Sequence, residues 1–123
     1  MSDQPAPPRL RLRILFGEDA MLGPGKADLL EAIQQTGSIS AAGRAMSMSY
    51  KRAWGLVDEM NQAFRDPLVA SARGGARGGG AQLTEAGEQV LEHFRKLEDI
   101  TAEAGAARIG ALRAMLKDMS HEA

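Results

Sequence analysis

Apolar and polar positions follow two different periods along this chain. Near its start, "RLRLRILF" (residues 9–16) alternates arginine with leucine or isoleucine, which is the period of a half-buried strand. Further along, apolar residues recur at helical spacing between clusters of Gly, Pro and Ser. In chain order the pattern predicts a strand over 9–16, helices over 26–37, 41–46 and 50–64, strands over 67–71 and 81–83, and a long helix over 84–119.

Hydroxyl side chains stand where three of these helices should begin. Ser38 or Ser40 can cap the short helix, and Ser49 can cap the helix after it, because their oxygens accept hydrogen bonds from unpaired backbone N–H groups. Thr84 stands in the same position before the long helix. Between the last two strands, "RGGARGGG" (73–80) is so rich in glycine that we predict an irregular loop.

The long C-terminal helix contains two glycines, Gly105 and Gly110. Each costs roughly 1 kcal/mol in a helix interior. Either the helix breaks at one of them and folds back to bury its apolar stripe, or the stripe stays exposed as a partner surface. We favour the second alternative and predict a homodimer. The predicted dimer contacts are Leu91, Phe94, Leu97, Leu112, Met115 and Leu116.

The stretch "SISAAGRAMSMSYKRAWGLVDEM" (38–60) has the spacing of a helix–turn–helix. Its small residues allow two helices to approach closely, and Ser47 to Ser49 supply a short turn. Those small residues are Ala41, Ala42 and Ala45. Together with the hairpin and the long helix, this order predicts a winged helix–turn–helix, mainly α with a small β-wing. The predicted organisation is a disordered arm (1–8), the winged domain (9–83), the dimerisation helix (84–119) and a tail (120–123).

Lys51 and Arg52 lie at the predicted N-terminus of the second helix of this motif. The partial positive charge of a helix N-terminus disfavours cations there. One interpretation is that both are solvated surface cations, at a cost of only a few tenths of a kcal/mol. The other is that they meet DNA, since the second helix of the motif presents its N-terminal residues to bases and phosphates. We favour DNA contact because of the adjoining turn and the Arg-containing Gly loop.

Three further features have two interpretations each. Trp54 can stack on a base, but a lone tryptophan on an amphipathic helix is mostly buried, so we predict that it packs against the first helix or the wing. The Gly-rich segment either binds a phosphate group through its backbone N–H groups or forms a hairpin tip where Arg77 supplies charge, and we favour the tip. The arginines of the first strand either contact phosphates or protect an edge strand, and we favour edge protection. They are Arg9, Arg11 and Arg13.

Composition narrows the class of protein. The chain has 123 residues, a net charge of −1 and no cysteine, so we expect one domain without disulfides or thiolate metal sites. It has two histidines without paired ligand spacing and no nucleophile constellation, so we predict no enzyme, no cofactor and no metal. With no long apolar run and no signal sequence, a cytoplasmic protein with no membrane contact is expected.

Two segments resemble a known family. "GSISAAGRAMSMSYKRAWGLVDEMNQ" and "LVASARGGARGGGAQLTEAGEQVL" are similar to the N-terminal DNA-binding domain of ModE, the molybdate-responsive bacterial transcription regulators, which is distantly similar to the LysR-type domain. The resemblance implies that residues 49–52 begin the recognition helix, that Arg73 and Arg77 belong to the wing, and that the long helix contributes to a dimer. The predicted DNA-binding residues are Arg44, Ser47, Ser49, Tyr50, Lys51, Arg52, Arg73 and Arg77.

The resemblance stops before the molybdate-binding region of ModE proteins. We therefore expect a sequence-specific regulator that binds double-stranded DNA as a homodimer, and we expect no molybdate binding by this chain. The alternative is a protein–protein adaptor whose winged-helix surface binds another regulator. The DNA-binding and adaptor alternatives predict different salt dependence. When phosphate contacts dominate, the logarithm of the binding constant falls linearly with the logarithm of the salt concentration.

Overall fold

The structure is a computed structural model that describes residues 7–75 and 78–117, and of residues 73–75, 78 and 79 it describes the backbone alone. In chain order its elements are β1 (Ile14–Leu15), β2 (Met21–Leu22), α1 (Pro24–Thr36), α2 (Ile39–Ala45), α3 (Tyr50–Ala63), β3 (Val69–Gly75), β4 (Gly78–Leu83), α4 (Glu85–Ala104) and α5 (Ala106–Ala114). This mainly helical order with a small hairpin confirms the predicted fold class. No helix within the described ranges is long and apolar enough to cross a membrane.

The predicted strand over 9–16 is wrong over most of its length. β1 contains only Ile14 and Leu15, which pair antiparallel with the two residues of β2. Residues 7–13 belong to no strand. A strand requires a hydrogen-bonded neighbour, and β2 offers two residues before α1 begins. The alternating arginines therefore do not protect a strand edge, and all three are exposed: Arg9, Arg11 and Arg13.

Local signals set the bounds of α1. Pro24 lies in its first turn, where a missing N–H leaves no hydrogen bond unmade. Gly37 ends the helix with a left-handed φ of 74°, and its N–H donates to the Ile33 carbonyl at 2.8 Å. The carbonyl of Gly37 also accepts a hydrogen bond of 2.9 Å from the N–H of Ala81 in β4. This hydrogen bond connects the end of α1 to β4.

Three side-chain caps begin the helices that follow. Ser38, Ser49 and Thr84 each accept a hydrogen bond of 3.0 Å from the backbone N–H three residues later. These contacts confirm the predicted caps of α3 and α4, and they select Ser38 rather than Ser40 for α2. Each cap satisfies a donor that the helix leaves unpaired.

The wing is the antiparallel hairpin formed by β3 and β4. Its ladder runs from Val69–Leu83 to Gly75–Gly78, with a register shift between Ala72 and Gly75. The prediction of an irregular loop over 73–80 is therefore wrong at both ends, because backbone pairing does not depend on the side chains that glycine lacks. Arg77 lies outside the described residues, and the side chain of Arg73 is not described.

The long helix breaks at Gly105. α4 ends there and α5 begins at the next residue, while the Gly105 N–H still donates to the Thr101 carbonyl at 2.8 Å. No residue of α5 is buried, so in the described chain the apolar stripe is not folded back into the monomer.

Two of the six predicted dimer contacts need correction. Leu91 and Phe94 lie in the core of the monomer, 7% and 1% exposed, because their face of α4 packs on α1 and the wing. A second copy cannot contact them in this conformation. The other four side chains are exposed: Leu97, Leu112, Met115 and Leu116.

One hydrophobic core joins α1, α2, α3, the wing and the first half of α4. Gly87 allows α4 to cross closely, because a Cβ there would overlap the carbonyl oxygen of Leu68. The buried apolar residues are Leu22, Ala27, Leu29, Leu30, Ile33, Ile39, Ala42, Ala53, Leu56, Val57, Met60, Leu68, Val69, Ala81, Leu83, Leu91 and Phe94.

Candidate nucleic-acid interface

The turn between α2 and α3 is held by backbone hydrogen bonds. The N–H of Met48 donates to the Gly43 carbonyl at 2.9 Å, and the N–H of Ser47 donates to the Arg44 carbonyl at 3.0 Å. This pair of bonds is a Schellman motif, which requires a left-handed residue after the helix. Ser47 takes that position with φ 58°, where glycine is more usual. The predicted turn residue Ser47 therefore has a structural role in directing the chain into α3.

Close packing of α2 on α3 fixes the angle of the motif. Ala42 is fully buried, as predicted for a small residue of α2, whereas Ala45 is exposed. Gly43 makes the closest approach, because a Cβ at this position would lie 3.0 Å from the Cβ of Ala53 in α3. The sequence pattern correctly indicated small residues in α2 but did not identify Gly43 as the contact point.

The first turn of α3 carries cations without internal partners. Lys51 and Arg52 are exposed, and this turn contains no acidic residue. Arg44, in the last turn of α2, is also exposed, and its Nη1 donates to the Ser40 hydroxyl at 3.4 Å. None of the three forms a salt bridge with any carboxylate in the described part of the chain. The predicted cations therefore form an uncompensated positive surface, which we call the α2–α3 surface: Arg44, Lys51 and Arg52.

An aromatic pair lies beside these cations. Tyr50 is 63% exposed and Trp54 is 44% exposed. Their rings meet edge to face, with centroids 6.1 Å apart. The prediction that Trp54 packs into the fold is therefore wrong: at 100° per residue, Trp54 lies at the edge of the buried face of α3, about 60° from Val57 and about 100° from Ala53.

A half-buried amide connects α3 to the wing. Asn61 Oδ1 accepts hydrogen bonds from the backbone N–H groups of Leu68 and Val69, at 2.8 and 3.2 Å. Its Nδ2 donates to the Val69 carbonyl at 3.1 Å. These three bonds fix the start of β3 against the C-terminal half of α3. Sequence reasoning missed Asn61, because the contact depends on tertiary placement.

Two cations elsewhere in the described chain, Lys26 and Arg95, are paired with carboxylates. Lys26 in α1 is buried; its Nζ donates to the Met21 carbonyl at 3.0 Å and lies 3.2 Å from a carboxylate oxygen of Glu59. This pair joins α1 to α3 about two helical turns beyond Lys51.

Arg95 in α4 bonds to three carboxylates, those of Asp28 and Glu31 in α1 and that of Glu98 one turn further on. Burial by itself would lower the pKa of Arg95, but these hydrogen bonds outweigh burial and raise its pKa above the ordinary value. Arg95 is therefore a permanently charged link between α4 and α1.

Six of the eight predicted DNA-binding residues lie in the described helix–turn–helix, and they are Arg44, Ser47, Ser49, Tyr50, Lys51 and Arg52. Their roles differ. Ser47 and Ser49 shape the turn and the helix cap, whereas the other four present exposed side chains. Among the described residues no group of His, Cys, Asp and Glu could hold a metal ion.

Comparison with known proteins gives consistent results. The model of bacterial regulatory helix–turn–helix proteins of the lysR family matches residues 26–88. The chain is 44% identical over 96 residues to the molybdenum-pterin-binding protein MopB of Rhodobacter capsulatus, covering 78% of this chain and 34% of MopB. It is 46% identical over 70 residues to the molybdenum transport protein ModE of Azotobacter vinelandii, covering 57% of this chain and 26% of ModE.

A solved structure has the same architecture. The full-length LTTR LysG from Corynebacterium glutamicum, with bound effector Arg, matches with a TM-score of 0.55 and 29% identity over 76% of this chain and 30% of LysG. Because the chain spans about a third or less of its curated relatives, these matches concern one region of longer proteins.

The capped helix–turn–helix, the hairpin tied to it through Asn61 and the long following helix together define a winged helix–turn–helix domain. The chain belongs to the lysR family of bacterial regulatory helix–turn–helix proteins. The resemblance to ModE is also confirmed, because ModE and Mop proteins are among the relatives that match this region.

Proposed function

We propose that this chain is the DNA-binding domain of a bacterial transcription regulator and that the α2–α3 surface contacts double-stranded DNA. The observation that carries the proposal is the first turn of α3, which has two exposed cations, no acid and no salt-bridge partner within the described residues. Cations at that helix end are unfavourable in the free protein. A phosphate or a guanine edge supplies the missing partner.

The rest of the fold suits this role. The Schellman turn and the Ser49 cap fix the start of α3, so Lys51 and Arg52 project from a rigid helix rather than from a loop. The Asn61 bonds hold the wing beside the same helix, which supports a wing contact by the predicted residues Arg73 and Arg77. Two contact points of this kind fix the register of a helix in the major groove.

The proposal includes a homodimer. Leu97, Ile100, Leu112, Met115 and Leu116 are all at least 40% exposed and lie along α4 and α5 or just after it. Exposed apolar side chains in such a row are typical of a surface that another chain covers. Light scattering at micromolar concentration should report twice the monomer mass, and a monomer there would remove this part of the proposal.

The adaptor alternative is not favoured. The relatives that share this region include proteins named as transcriptional regulators, among them ModE of Yersinia pestis. We propose a regulatory role without catalysis, in the cytoplasm where DNA is accessible. The names of the relatives also support a link to molybdenum, and we expect molybdate itself to bind outside this region. Calorimetric titration of this chain with molybdate should show no saturable heat, and a stoichiometric site would contradict that expectation.

The experiment that tests the proposal is selection of a tight-binding duplex from a random library, followed by fluorescence anisotropy. Lys51→Ala and Arg52→Ala should each weaken binding by roughly 1–3 kcal/mol where the side chain reads a base. Lys96→Ala is the matched control, because Lys96 is an exposed lysine of α4 outside the α2–α3 surface. Failure to enrich any sequence, or unchanged affinity in both variants, would contradict the proposal.

A further inference from the structure

The exposed aromatic pair on α3 lies outside the hydrophobic core of the described fold. Neither Tyr50 nor Trp54 belongs to the core cluster, and the two rings contact each other edge to face at 6.1 Å. Large aromatic side chains left in water cost solvation free energy. A binding partner that presents an apolar group would explain why the two rings are exposed and why they contact each other.

The surroundings of the pair indicate what that partner is. Lys51 lies between Tyr50 and Trp54 in sequence and projects from the exposed side of α3, while Arg52 flanks it. An anionic molecule is therefore expected beside the rings. Asp58, which is exposed one turn beyond Trp54, limits the positive surface to the N-terminal half of the helix. The partner must be anionic in its backbone and apolar where it meets the rings.

Duplex DNA offers one strongly apolar group in the major groove, the C5-methyl group of thymine. A helix that enters the groove by its N-terminal residues meets the edges of base pairs, not their stacked faces. The edge-to-face contact limits the freedom of both rings before binding, and a rigid apolar surface loses little entropy when it binds a methyl group.

On these grounds we propose that Tyr50 and Trp54 form a thymine-methyl contact, so that the domain selects thymine at the positions these rings cover. This inference rests on the proposed function and deepens it, because it assigns a base preference to two named side chains. Lys51 and Arg52 supply the electrostatic contacts, and the aromatic pair supplies the discrimination between thymine and bases without a methyl group.

The test compares two forms of the duplex selected from the random library. The first form contains thymidine. In the second, deoxyuridine replaces thymidine, first at single positions and then throughout, which removes only the C5-methyl group. The wild-type chain should bind the deoxyuridine duplex about fourfold more weakly for each methyl group that is covered, the effect of losing one buried methyl-sized group. Trp54 is the only tryptophan of the chain, so its intrinsic fluorescence should also change more with the thymidine duplex than with the deoxyuridine duplex.

Substitutions of Tyr50 and Trp54 test whether these two side chains cause the preference for thymidine. Tyr50→Phe keeps the ring and should keep the full preference for thymidine. Tyr50→Ala and Trp54→Ala should bind both duplexes with equal affinity, and thermal melting of each variant shows whether it is folded.

Equal affinity of the wild-type chain for the two duplexes would overturn the inference, and so would an undiminished thymidine preference in folded Trp54→Ala. Both results leave selective DNA binding intact. If no duplex is enriched at all, the proposed function fails, and this inference fails with it.

Discussion

The first halves of α3 and α4 begin in the same way and then differ in almost every respect. Both have a hydroxyl cap with the same 3.0 Å hydrogen bond. The first turn of α4 contains Glu85 and Glu88, which complement the helix dipole, whereas that of α3 contains Lys51 and Arg52, which oppose it. One helix end is arranged for stability and the other is not.

The same contrast continues in the side chains that follow. In α4, Phe94 is 1% exposed and Arg95 bonds to three carboxylates. In α3, the aromatic residues Tyr50 and Trp54 remain 63% and 44% exposed. Side chains whose partners lie within the chain serve the fold, whereas side chains of the same types without such partners indicate an external one. The comparison therefore separates folding from binding, and substitutions can test the two separately.

The largest expected effect is on the folding side. Phe94→Ala should lower the free energy of unfolding by about 3–5 kcal/mol, because it leaves a cavity in the core that α1 and α4 share. Tyr50→Ala, the aromatic control in α3, should change it by no more than about 0.5 kcal/mol. Urea denaturation followed by circular dichroism measures both values. Similar losses in the two variants would remove the distinction between the helices.

A smaller loss is expected at Arg95. Arg95→Ala should cost about 1–2 kcal/mol of stability, since it removes the link between α4 and α1 and leaves three neighbouring carboxylates unpaired. The loss should shrink at high salt, which screens the repulsion among the carboxylates. Arg113→Ala is the matched control, because Arg113 is exposed on α5. Thermal melts of both variants at low and high salt provide the comparison, and equal melting temperatures would show that Arg95 does not stabilise the fold.

The smallest effect is expected at Gly55, where a substitution should raise the stability of the fold but lower its affinity for DNA. Gly55 lies within α3 on its exposed side, and a Cβ there would meet nothing within 4 Å. Gly55→Ala should therefore raise stability by roughly 0.5–1 kcal/mol. The added methyl group projects from the face that carries Lys51 and Trp54, so DNA affinity should fall.

Gly25→Ala serves as the control for this prediction. Gly25 is also exposed without neighbours within 4 Å, but it lies in the first turn of α1. Its substitution should leave DNA affinity unchanged. Increased affinity in Gly55→Ala would contradict the placement of this face of α3 against DNA.

Local features of the sequence predicted the helices and their beginnings well. The caps of α3 and α4 and the cations at the start of α3 each depend on residues within one helical turn, so the sequence pattern contains the required information. The short turn between α2 and α3, predicted at Ser47 to Ser49, was likewise evident from the sequence. The left-handed conformation of Ser47 was not, because serine seldom adopts it.

Features that depend on distant partners were predicted poorly. Residues 9–13 alternate like a strand but pair with no strand in the described chain, while Gly78 and Gly80 pair because β3 lies beside them. Leu91 and Leu112 have the same apolar character in the sequence, yet one is in the core and the other is exposed. An apolar stripe indicates that something covers it, but the partner follows only from tertiary structure.

The salt dependence of DNA binding tests the central claim most directly. For the wild-type chain and the double variant Lys51→Ala/Arg52→Ala, log K for the selected duplex is measured by fluorescence anisotropy across a range of salt concentrations. If both side chains neutralise phosphates, the slope of log K against log salt should become shallower by about two units, close to 0.9 for each lost contact. The melting temperature should stay constant or rise, because two cations leave the positive end of α3. An unchanged slope with unchanged affinity would contradict the assignment of this helix end to DNA.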